Sequence, residues 1–596
     1  MTRFLLGGLA AALYLTACGS APPPPPPPAA SAPAPPGQLK LLVDQYWDEY
    51  RRLNPRPMPQ GAAVRFDSGA GLDISAQFLA DSLALERRYL DAMSALPRER
   101  LPADAQLTYD LFKRERELAV ESFTYPAELL PVNPFRSVPL EFAQTGAGTG
   151  PYAILSVKDL ENWQLRVEDY VRWTDEAIAN LRDGLRRGYA EPRVLIEEML
   201  PILGALAEDT PSSVFYGPLR SFPGTLAEPE RKRLSEGINS GVKSKILPAY
   251  DRLRNFLRGE YLPRARQSVG LSALPLGESW YAFLVRRETG SRLKPAELHA
   301  IGVAETERLR GRMQALLAEA GFAGTAQAFY EAMHREPRTA LKSAEELQNF
   351  YDQLKVQAAS AVPTLFQGLP QGDFAIRRLD PFQEAVSPAL SYQRAANRNS
   401  AAILYVNTAG LEAQPIVPTI PMFLRKAIPG YHFQISIQEE RADLPEFRSQ
   451  GGDPGFVEGW GIYAESLGEQ LGLYGDTESK FAALADQSEC TAGMVIDTGI
   501  HALGWSRDQA LGYLRAQLPI DEAGLRNAVD RAIALPGEAL ACAAGGRMFQ
   551  GLREHAEQSL GARFDVRAFH SELLNDGAMP LDILESRMNR WLAGAH

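Results

Sequence analysis

The chain has few of the residues that build metal sites. Among its 596 residues there are seven histidines and three cysteines. No two histidines lie within five residues of each other, so no helix can offer the histidine pair at i and i+4 that common zinc helices use. A zinc site would need scattered residues such as His432, His501 and His570 with Glu458. We therefore expect no cofactor, and zinc is the less favoured alternative.

Basic charge and long apolar runs are also scarce. The formal net charge is −11, which disfavours nucleic acid as a partner. After the N-terminal segment, no stretch has the roughly 18 uninterrupted apolar residues that a membrane-spanning helix needs. Hydrophobic residues make up 45% of the chain and charged residues 23%, which are globular proportions. The length leaves room for two or three subdomains.

The N-terminus has the pattern of an export signal. Arg3 precedes an apolar run over residues 4–15, which ends in a Leu-Thr-Ala-Cys sequence at Cys18. This ending resembles a bacterial lipobox, with Gly19 next, as in outer-membrane lipoproteins. The alternative is an ordinary signal peptide that happens to contain a cysteine. We predict a signal peptide over 1–17, a lipidated Cys18 with a Pro/Ala-rich linker over 18–38, and an outer-membrane anchor facing the periplasm.

Two further cysteines, Cys490 and Cys542, follow in the predicted exported domain. They could form one disulfide. Cys490 lies in an apolar-periodic segment and Cys542 among alanines, so the favoured interpretation is two buried free thiols.

Residues 39–596 read as helical nearly throughout, which predicts a mainly α fold: a large multi-helix domain with a small sheet. Short alternating or β-branched runs at 374–379 and 402–407 predict the strands. Ser506 with Gln509 is spaced as a capping box. Proline and glycine at 261–277 mark a possible subdomain boundary.

The stretch 425–434 combines a helix break with unusual charges. Pro429-Gly430 should kink or break the helix there, because proline cannot donate to the preceding turn. Arg425 and Lys426 precede the break, and Tyr431 and His432 follow it. The small sheet is expected beside this kinked helix.

Two later segments place polar residues at helical spacing. Glu458 and Glu465 are seven residues apart and share a helix face, while Trp460 and Tyr463 read as core. Asp497 and His501 have i, i+4 spacing. Such a pair can be a histidine oriented by a carboxylate, or a plain helix-stabilising pair.

Together these stretches resemble the bacterial lipoprotein family catalogued as domain of unknown function 885, which is thought to be related to zinc metallopeptidases. The resemblance covers nearly the whole mature chain and implies a metallopeptidase-like fold. In that family the central stretch reads His-Glu-x-x-Pro-Gly-His-His-x-Gln. The segments that carry the resemblance are 261–266, 297–302, 405–407, 429–430, 457–460, 497–506, 530–537, 569–570 and 580–581.

This chain departs from the family pattern at the polar positions. Arg425, Lys426 and Tyr431 stand where the family has His, Glu and His, so of the implied metal set only His432 and Glu458 carry over, as vestiges of a site that we expect to hold no metal. The resemblance implies catalytic candidates and binding candidates. The catalytic candidates are Lys426, His432 and Glu458. The binding candidates are Arg425, Tyr431, Gln434, Tyr463, Asp497, His501, Arg531 and His570.

Two functions remain open. One is a pseudoenzyme that binds a peptide or small anionic ligand without cleaving it, because a lysine at 426 cannot replace a glutamate base near neutral pH unless it is strongly desolvated. The other is an active hydrolase that uses Lys426 as a base, with Tyr431 or His432 assisting, or a rebuilt metal site. We also expect one of the two cations, Arg425 or Lys426, to reach Glu458 and replace the charge of the lost ion, and Arg425 is favoured because of its bidentate guanidinium.

Overall fold

The structure is a computed structural model that describes residues 36–54, 73–146, 157–220, 222, 224, 226–335, 343–379, 389–395, 401–408 and 419–594. The predicted signal peptide, Cys18 and most of the Pro/Ala-rich linker lie outside the described residues. No helix in the described part is both long and apolar enough to cross a membrane.

The first three helices pack against the last helices of the chain. Tyr46 and Phe112, both fully buried, share one apolar cluster with Phe549 and Phe569 near the other end. This packing joins the two ends of the fold. The helices are α1 (Pro36–Leu53), α2 (Ala76–Ser94) and α3 (Ala103–Ser122).

The next six helices enclose a second core. Trp163, Trp173 and Tyr250 are almost completely buried there, and Tyr250 Oη donates to the carbonyl of Pro139 at 2.6 Å. The helices are α4 (Val138–Gly146), α5 (Val157–Arg187), α6 (Arg193–Leu206), α7 (Gly217–Arg220), α8 (Glu228–Gly241) and α9 (Leu247–Phe256), with π-helical turns at Val242–Ile246 and Leu257–Tyr261.

Four further helices lead to a small sheet. Ser343 caps the last of them by accepting from the Glu346 amide at 3.1 Å. The helices are α10 (Gly277–Thr289), α11 (Pro295–Glu319), α12 (Ala326–Arg335) and α13 (Ala344–Ala361). The strands are β1 (Phe374–Arg378), β2 (Leu390–Gln393) and β3 (Ala402–Val406). β3 is central, parallel to β1 and antiparallel to β2. The mainly helical fold with a small sheet is confirmed.

The predicted helix break lies between α14 (Thr419–Lys426) and α15 (Tyr431–Glu440). Two helices that follow, α17 (Pro454–Ser466) and α18 (Thr477–His501), pack against this segment, and Asp453 caps α17 by accepting from the Phe456 amide at 3.3 Å. Ser506 and Gln509 form the predicted capping box. The remaining helices are α16 (Glu446–Gln450), α17 (Pro454–Ser466), α18 (Thr477–His501), α19 (Arg507–Gln517), α20 (Glu522–Ala534), α21 (Leu540–Leu560), α22 (Val566–Leu574) and α23 (Leu581–Gly594).

Cys490 and Cys542 are joined by a disulfide, with their Cα atoms 6.1 Å apart. The expectation of two free thiols is therefore wrong. The bond links α18 to α21, and it could not be predicted because a sequence separation of 52 does not reveal that the two helices are neighbours.

Candidate functional site

The end of α14 and the start of α15 meet α17 and α18 at a group of charged and hydroxyl side chains. We call this group the degenerate centre: Arg425, Lys426, Tyr431, Glu458, Glu465 and Asp486. Gly461 of α17 allows the close approach, because a Cβ there would lie 2.3 Å from Tyr431 Cε1 and 2.9 Å from Arg425 Cγ. Only a residue without a side chain fits between them.

Arg425 uses its charge on two carboxylates. Its Nε and Nη2 donate to Glu465 Oε2 at 3.0 and 2.7 Å, and Nη2 also binds Asp486. The Glu465 side chain is fully buried, and that burial holds the pKa of its carboxyl well above the usual value, with the Asp486 charge adding to the rise and Arg425 opposing it. The favoured Arg425–Glu458 pair is not formed, because the guanidinium lies about two turns further along the same face of α17, at Glu465.

Glu458 is bound by a different group. The Tyr431 hydroxyl donates to its carboxylate. The Lys426 ammonium lies 4.3 Å from the centre of the Tyr431 ring, and burial lowers the pKa of Lys426, while the Glu458 charge opposes that effect and Arg425 adds to it. Within the described ranges, Lys426 forms no ion pair closer than 4.0 Å. Lys426 as a residue is partly accessible, although its ammonium is largely surrounded by protein.

His432 does not face the degenerate centre. Its Nε2 donates to the carbonyl of Gly372 at 3.0 Å, and its Nδ1 accepts from the Tyr392 hydroxyl at 3.2 Å. Burial lowers the pKa of His432 to about 4, which keeps the ring neutral. Consecutive helix residues point about 100° apart, so Tyr431 faces Glu458 while His432 faces the sheet. His432 and Glu458, the two residues that the family resemblance implied as metal ligands, are thus separated: His432 faces the sheet, and Glu458 contacts the opposite side of α15 through Tyr431.

Asp497 and His501 share a helix face, but each is bonded to a different set of partners outside α18. Asp497 accepts from the Tyr281 hydroxyl at 2.5 Å and from the Gly537 amide at about 3.0 Å. His501 Nδ1 accepts from the Leu271 amide at 3.1 Å, and its Nε2 donates to the carbonyl of Ala532 at 2.9 Å. These bonds join α18 to α10, to α20 and to the segments beside them, and each of the two side chains is bonded to partners outside α18.

Three more binding candidates also have internal partners. Tyr463 donates to His570 Nε2 at 2.8 Å, because Nδ1 of the same ring donates to the carbonyl of Leu365. Gln434 donates to Gln438 at 2.7 Å. These three candidates lie in the core and not in the degenerate centre.

Arg531 lies nearer to the centre than these buried candidates. It pairs with Glu538 at the end of α20, and its charge contributes to lowering the pKa of Lys426. Glu489 was missed from the sequence and lies one turn from Asp486 on α18. The Glu489 side chain reaches the surface, but neighbouring protein atoms partly desolvate its carboxyl. This desolvation and the charge of Asp486 raise the pKa of Glu489 to about 7, and Arg425 opposes the rise. Neither acid belongs to a motif, so only the fold identifies them.

The residues present do not fit a zinc ion. In the parts of the chain that the structure describes, no group of three His, Cys, Asp or Glu side chains could hold a metal. Two cations, Arg425 and Lys426, also stand at the degenerate centre, and like charge disfavours a divalent ion there. Zinc is therefore given no part in the chemistry of this centre.

Comparison with known proteins places the chain in a family. Residues 63–588 match the family described as bacterial protein of unknown function, DUF885. The chain belongs to this family. No curated protein matches it.

Two solved structures share the fold. A candidate lipoprotein from Colwellia psychrerythraea superposes with a TM-score of 0.85 at 21% identity, over 94% of this chain and 99% of the other. A candidate lipoprotein of unknown function from Shewanella oneidensis gives a TM-score of 0.67 at 16% identity, over 92% and 99%. At these identities the likeness concerns the fold.

Proposed function

We propose that this DUF885 protein is a cell-envelope lipoprotein whose metallopeptidase-like centre has lost zinc chemistry and binds an anionic group, such as the carboxylate of a peptide. The observation that carries the proposal is that two neighbouring cations differ in their partners. Arg425 is held by Glu465 and Asp486, whereas Lys426 is partly accessible and pairs with no carboxylate in the described residues.

The chemistry of the centre favours binding over hydrolysis. A metal-free hydrolase needs a general base. The carboxylate at this centre that could act as one, Glu458, already accepts a hydrogen bond from the Tyr431 hydroxyl. A carboxylate ligand would gain a charge-assisted hydrogen bond from Lys426, in a place where burial strengthens the interaction. Glu489 and Glu458 would exclude groups that carry two or more negative charges, so a single carboxylate is favoured.

The test is calorimetric titration of the full chain in detergent with short peptides that have a free or an amidated C-terminus. The free carboxylate should bind and the amide should bind at least about tenfold more weakly, which corresponds to about 1.4 kcal/mol. Lys426→Gln should remove the difference. Lys480→Gln is the matched control, because Lys480 is an exposed lysine that pairs with Glu469. Equal binding of both peptides by the wild type would contradict the proposal.

The second candidate is an active, metal-free hydrolase, and the lowered pKa of Lys426 favours it. A lysine that loses its proton near neutral pH can act as a general base. Hydrolysis of peptide or ester substrates that rises with pH and disappears in Lys426→Arg would support this candidate over the first. If Lys426→Arg keeps its turnover and loses only the pH dependence of hydrolysis, the general base is another residue.

The envelope location rests on the Leu-Thr-Ala-Cys sequence and on the names of the two structural relatives. We propose that Cys18 is lipidated and anchors the chain to the outer membrane, facing the periplasm. Expression in a bacterium followed by detergent phase separation should put the wild type in the detergent phase and Cys18→Ser in the aqueous phase. Wild-type protein in the aqueous phase would count against the anchor.

A further inference from the structure

A cavity of about 150 Å³ lies between α1, α3, α10 and the start of α17. None of the residues that define the degenerate centre lines it. Its walls are mostly apolar, and the aromatic rings of Trp47, Phe283 and Phe447 face it. An apolar cavity of about this volume holds one benzene-sized group.

Three arginines line the same cavity, and each has partners. Arg114 pairs with Asp582 at 2.9 Å, and Arg287 pairs with Glu288 at 2.8 Å. Arg448 is 7% exposed, and its two terminal nitrogens donate to Thr108 at 3.0 Å and to the carbonyl of Asp576 at 2.6 Å. The donors of these cations are therefore largely committed to the protein.

Two carboxyl groups of the lining are less well paired. Glu115 has 39% of its side chain accessible, and its nearest cation, Arg116, is 3.4 Å away. Arg116 is itself held by Glu86 at 2.9 Å and lies over the ring of Tyr46. The second carboxyl is Asp453, which is partly accessible, accepts from the Phe456 amide at 3.3 Å at the start of α17 and also from the Gly455 amide, and has no cation within 4.0 Å in the described residues.

We propose that this cavity is a binding site for an organic ammonium ion that carries one apolar group. The ammonium would bind Glu115 and Asp453, and the apolar group would pack on the aromatic rings, which also attract a cation. A second cavity of about 150 Å³ shares Ser122, Phe283 and Glu288 with the first, so a longer apolar group has room to continue.

Burial raises the pKa of both Glu115 and Asp453 to about 7. Arg116 lowers the pKa of Glu115, and Arg114 lowers that of Asp453, while Glu288 raises it. An ammonium ion binds the ionised carboxyl, so its affinity should increase from pH 6 to pH 8. An anion at the same place would show the opposite trend.

The experiment is titration of the full chain in detergent with three probes of the same shape: 2-phenylethylammonium, 2-phenylethanol and 3-phenylpropionate. The ammonium should bind at least about tenfold more tightly than the alcohol, and the carboxylate most weakly. This comparison uses the wild-type chain and does not depend on any variant folding. Equal binding of the three probes, tighter binding of the carboxylate, or no binding of the ammonium overturns the proposal.

Variants then locate the site. Glu115→Gln with Asp453→Asn should reduce ammonium binding at least tenfold and remove its pH dependence. Ser122→Leu should reduce it by filling the cavity. The matched control is Glu117→Gln, an exposed glutamate on the same helix, and Lys426→Gln should also leave this binding unchanged because the proposed anion site is separate. Full binding by the folded Glu115→Gln/Asp453→Asn double variant would refute the assignment.

Discussion

Arg425 holds two acids in place that would otherwise repel each other. Glu465 is fully buried and Asp486 is 20% exposed, and both depend on one guanidinium. Removing one partner of a buried pair leaves an uncompensated charge, which costs several kcal/mol.

Arg425→Met should therefore lower the free energy of unfolding by about 3–5 kcal/mol, measured by urea denaturation. Arg515→Met is the control, because Arg515 is 55% exposed and its pair with Glu522 is worth less than about 1 kcal/mol. Adding Glu465→Gln to Arg425→Met should recover part of the loss. If the Arg425→Met loss is as small as the control, the pair is not the support that its geometry indicates.

Asp497 links stability to pH at the same scale. Burial raises its pKa to about 7, so the folded chain keeps this proton over a range in which the unfolded chain, with a pKa of about 3.9, has lost it. Unfolding then becomes easier as pH rises from about 4 to about 7, by at most about 1.4 kcal/mol per pH unit.

We expect Asp497→Asn to flatten this part of the stability curve, because the amide keeps an acceptor for Tyr281 and Gly537 and has no proton to lose. Urea denaturation at pH 5, 6 and 7 gives the slopes. Asp508→Asn, at an exposed position, should keep the wild-type slope. A slope that is unchanged in Asp497→Asn would place the proton linkage at other residues.

At the scale of elements, α17 is clamped between two neighbours by its glycines. A Cβ on Gly459 would lie 2.4 Å from the backbone of Gly545 in α21, and Gly461 faces Arg425 and Tyr431 on the opposite side. The degenerate centre thus depends on how closely these helices approach.

Gly459→Ala should destabilise the chain by about 3 kcal/mol or more, because the backbone of α21 must move. Gly512→Ala is the matched control: a Cβ there meets nothing within 4 Å, and alanine in an exposed helix adds about 0.5–1 kcal/mol. Thermal unfolding followed by circular dichroism would measure both. A Gly459→Ala protein as stable as the control would show that the two helices can separate without cost.

The disulfide is a second clamp between elements. It joins α18, which carries Asp486, to α21, which packs on α17. Reduction should lower the free energy of unfolding by about 2–5 kcal/mol, measured by denaturation with and without reductant. The Cys490→Ala/Cys542→Ala double variant should show the lower stability in both buffers. If the free energy of unfolding of the wild type is unchanged by reductant, the disulfide does not stabilise the fold.

Local signals in the sequence predicted most elements but not their partners. The capping box at Ser506 and the break at Pro429 depend on neighbouring residues, and both are present. β2 was missed because Leu390–Gln393 is only four residues long and contains the polar residues Ser391 and Gln393, so it lacks a clear strand pattern. Sequence could not show whether Tyr431 or His432 faces Glu458, nor that Asp486 approaches Arg425 from α18, since both depend on how the helices pack.

At the scale of the whole molecule, the two binding regions that we propose have opposite charge preferences. Lys426 offers a cation at the degenerate centre, and Glu115 with Asp453 offers acids in the cavity beside α3. A ligand with both a carboxylate and an ammonium would have a partner in each region. In our proposal, the residues at 425, 426 and 431 favour an anion over a metal at this centre.

The last prediction concerns metal removal. The wild type should keep its melting temperature within about 1 °C in the presence of a chelator, since a ligand that does not bind the folded state cannot stabilise it.

Arg425→His, Lys426→Glu and Tyr431→His together remove two cations and add two imidazoles and a carboxylate beside Glu458. This triple variant should bind zinc, and its melting temperature should rise with zinc concentration. Arg515→His with Lys480→Glu is a control for surface histidine and charge. A wild-type chain that retains about one zinc through dialysis against chelator would contradict the proposed loss of zinc chemistry. If the melting temperature of the triple variant does not change with zinc, Glu465 and Asp486 hold α14 in a position that does not suit a metal.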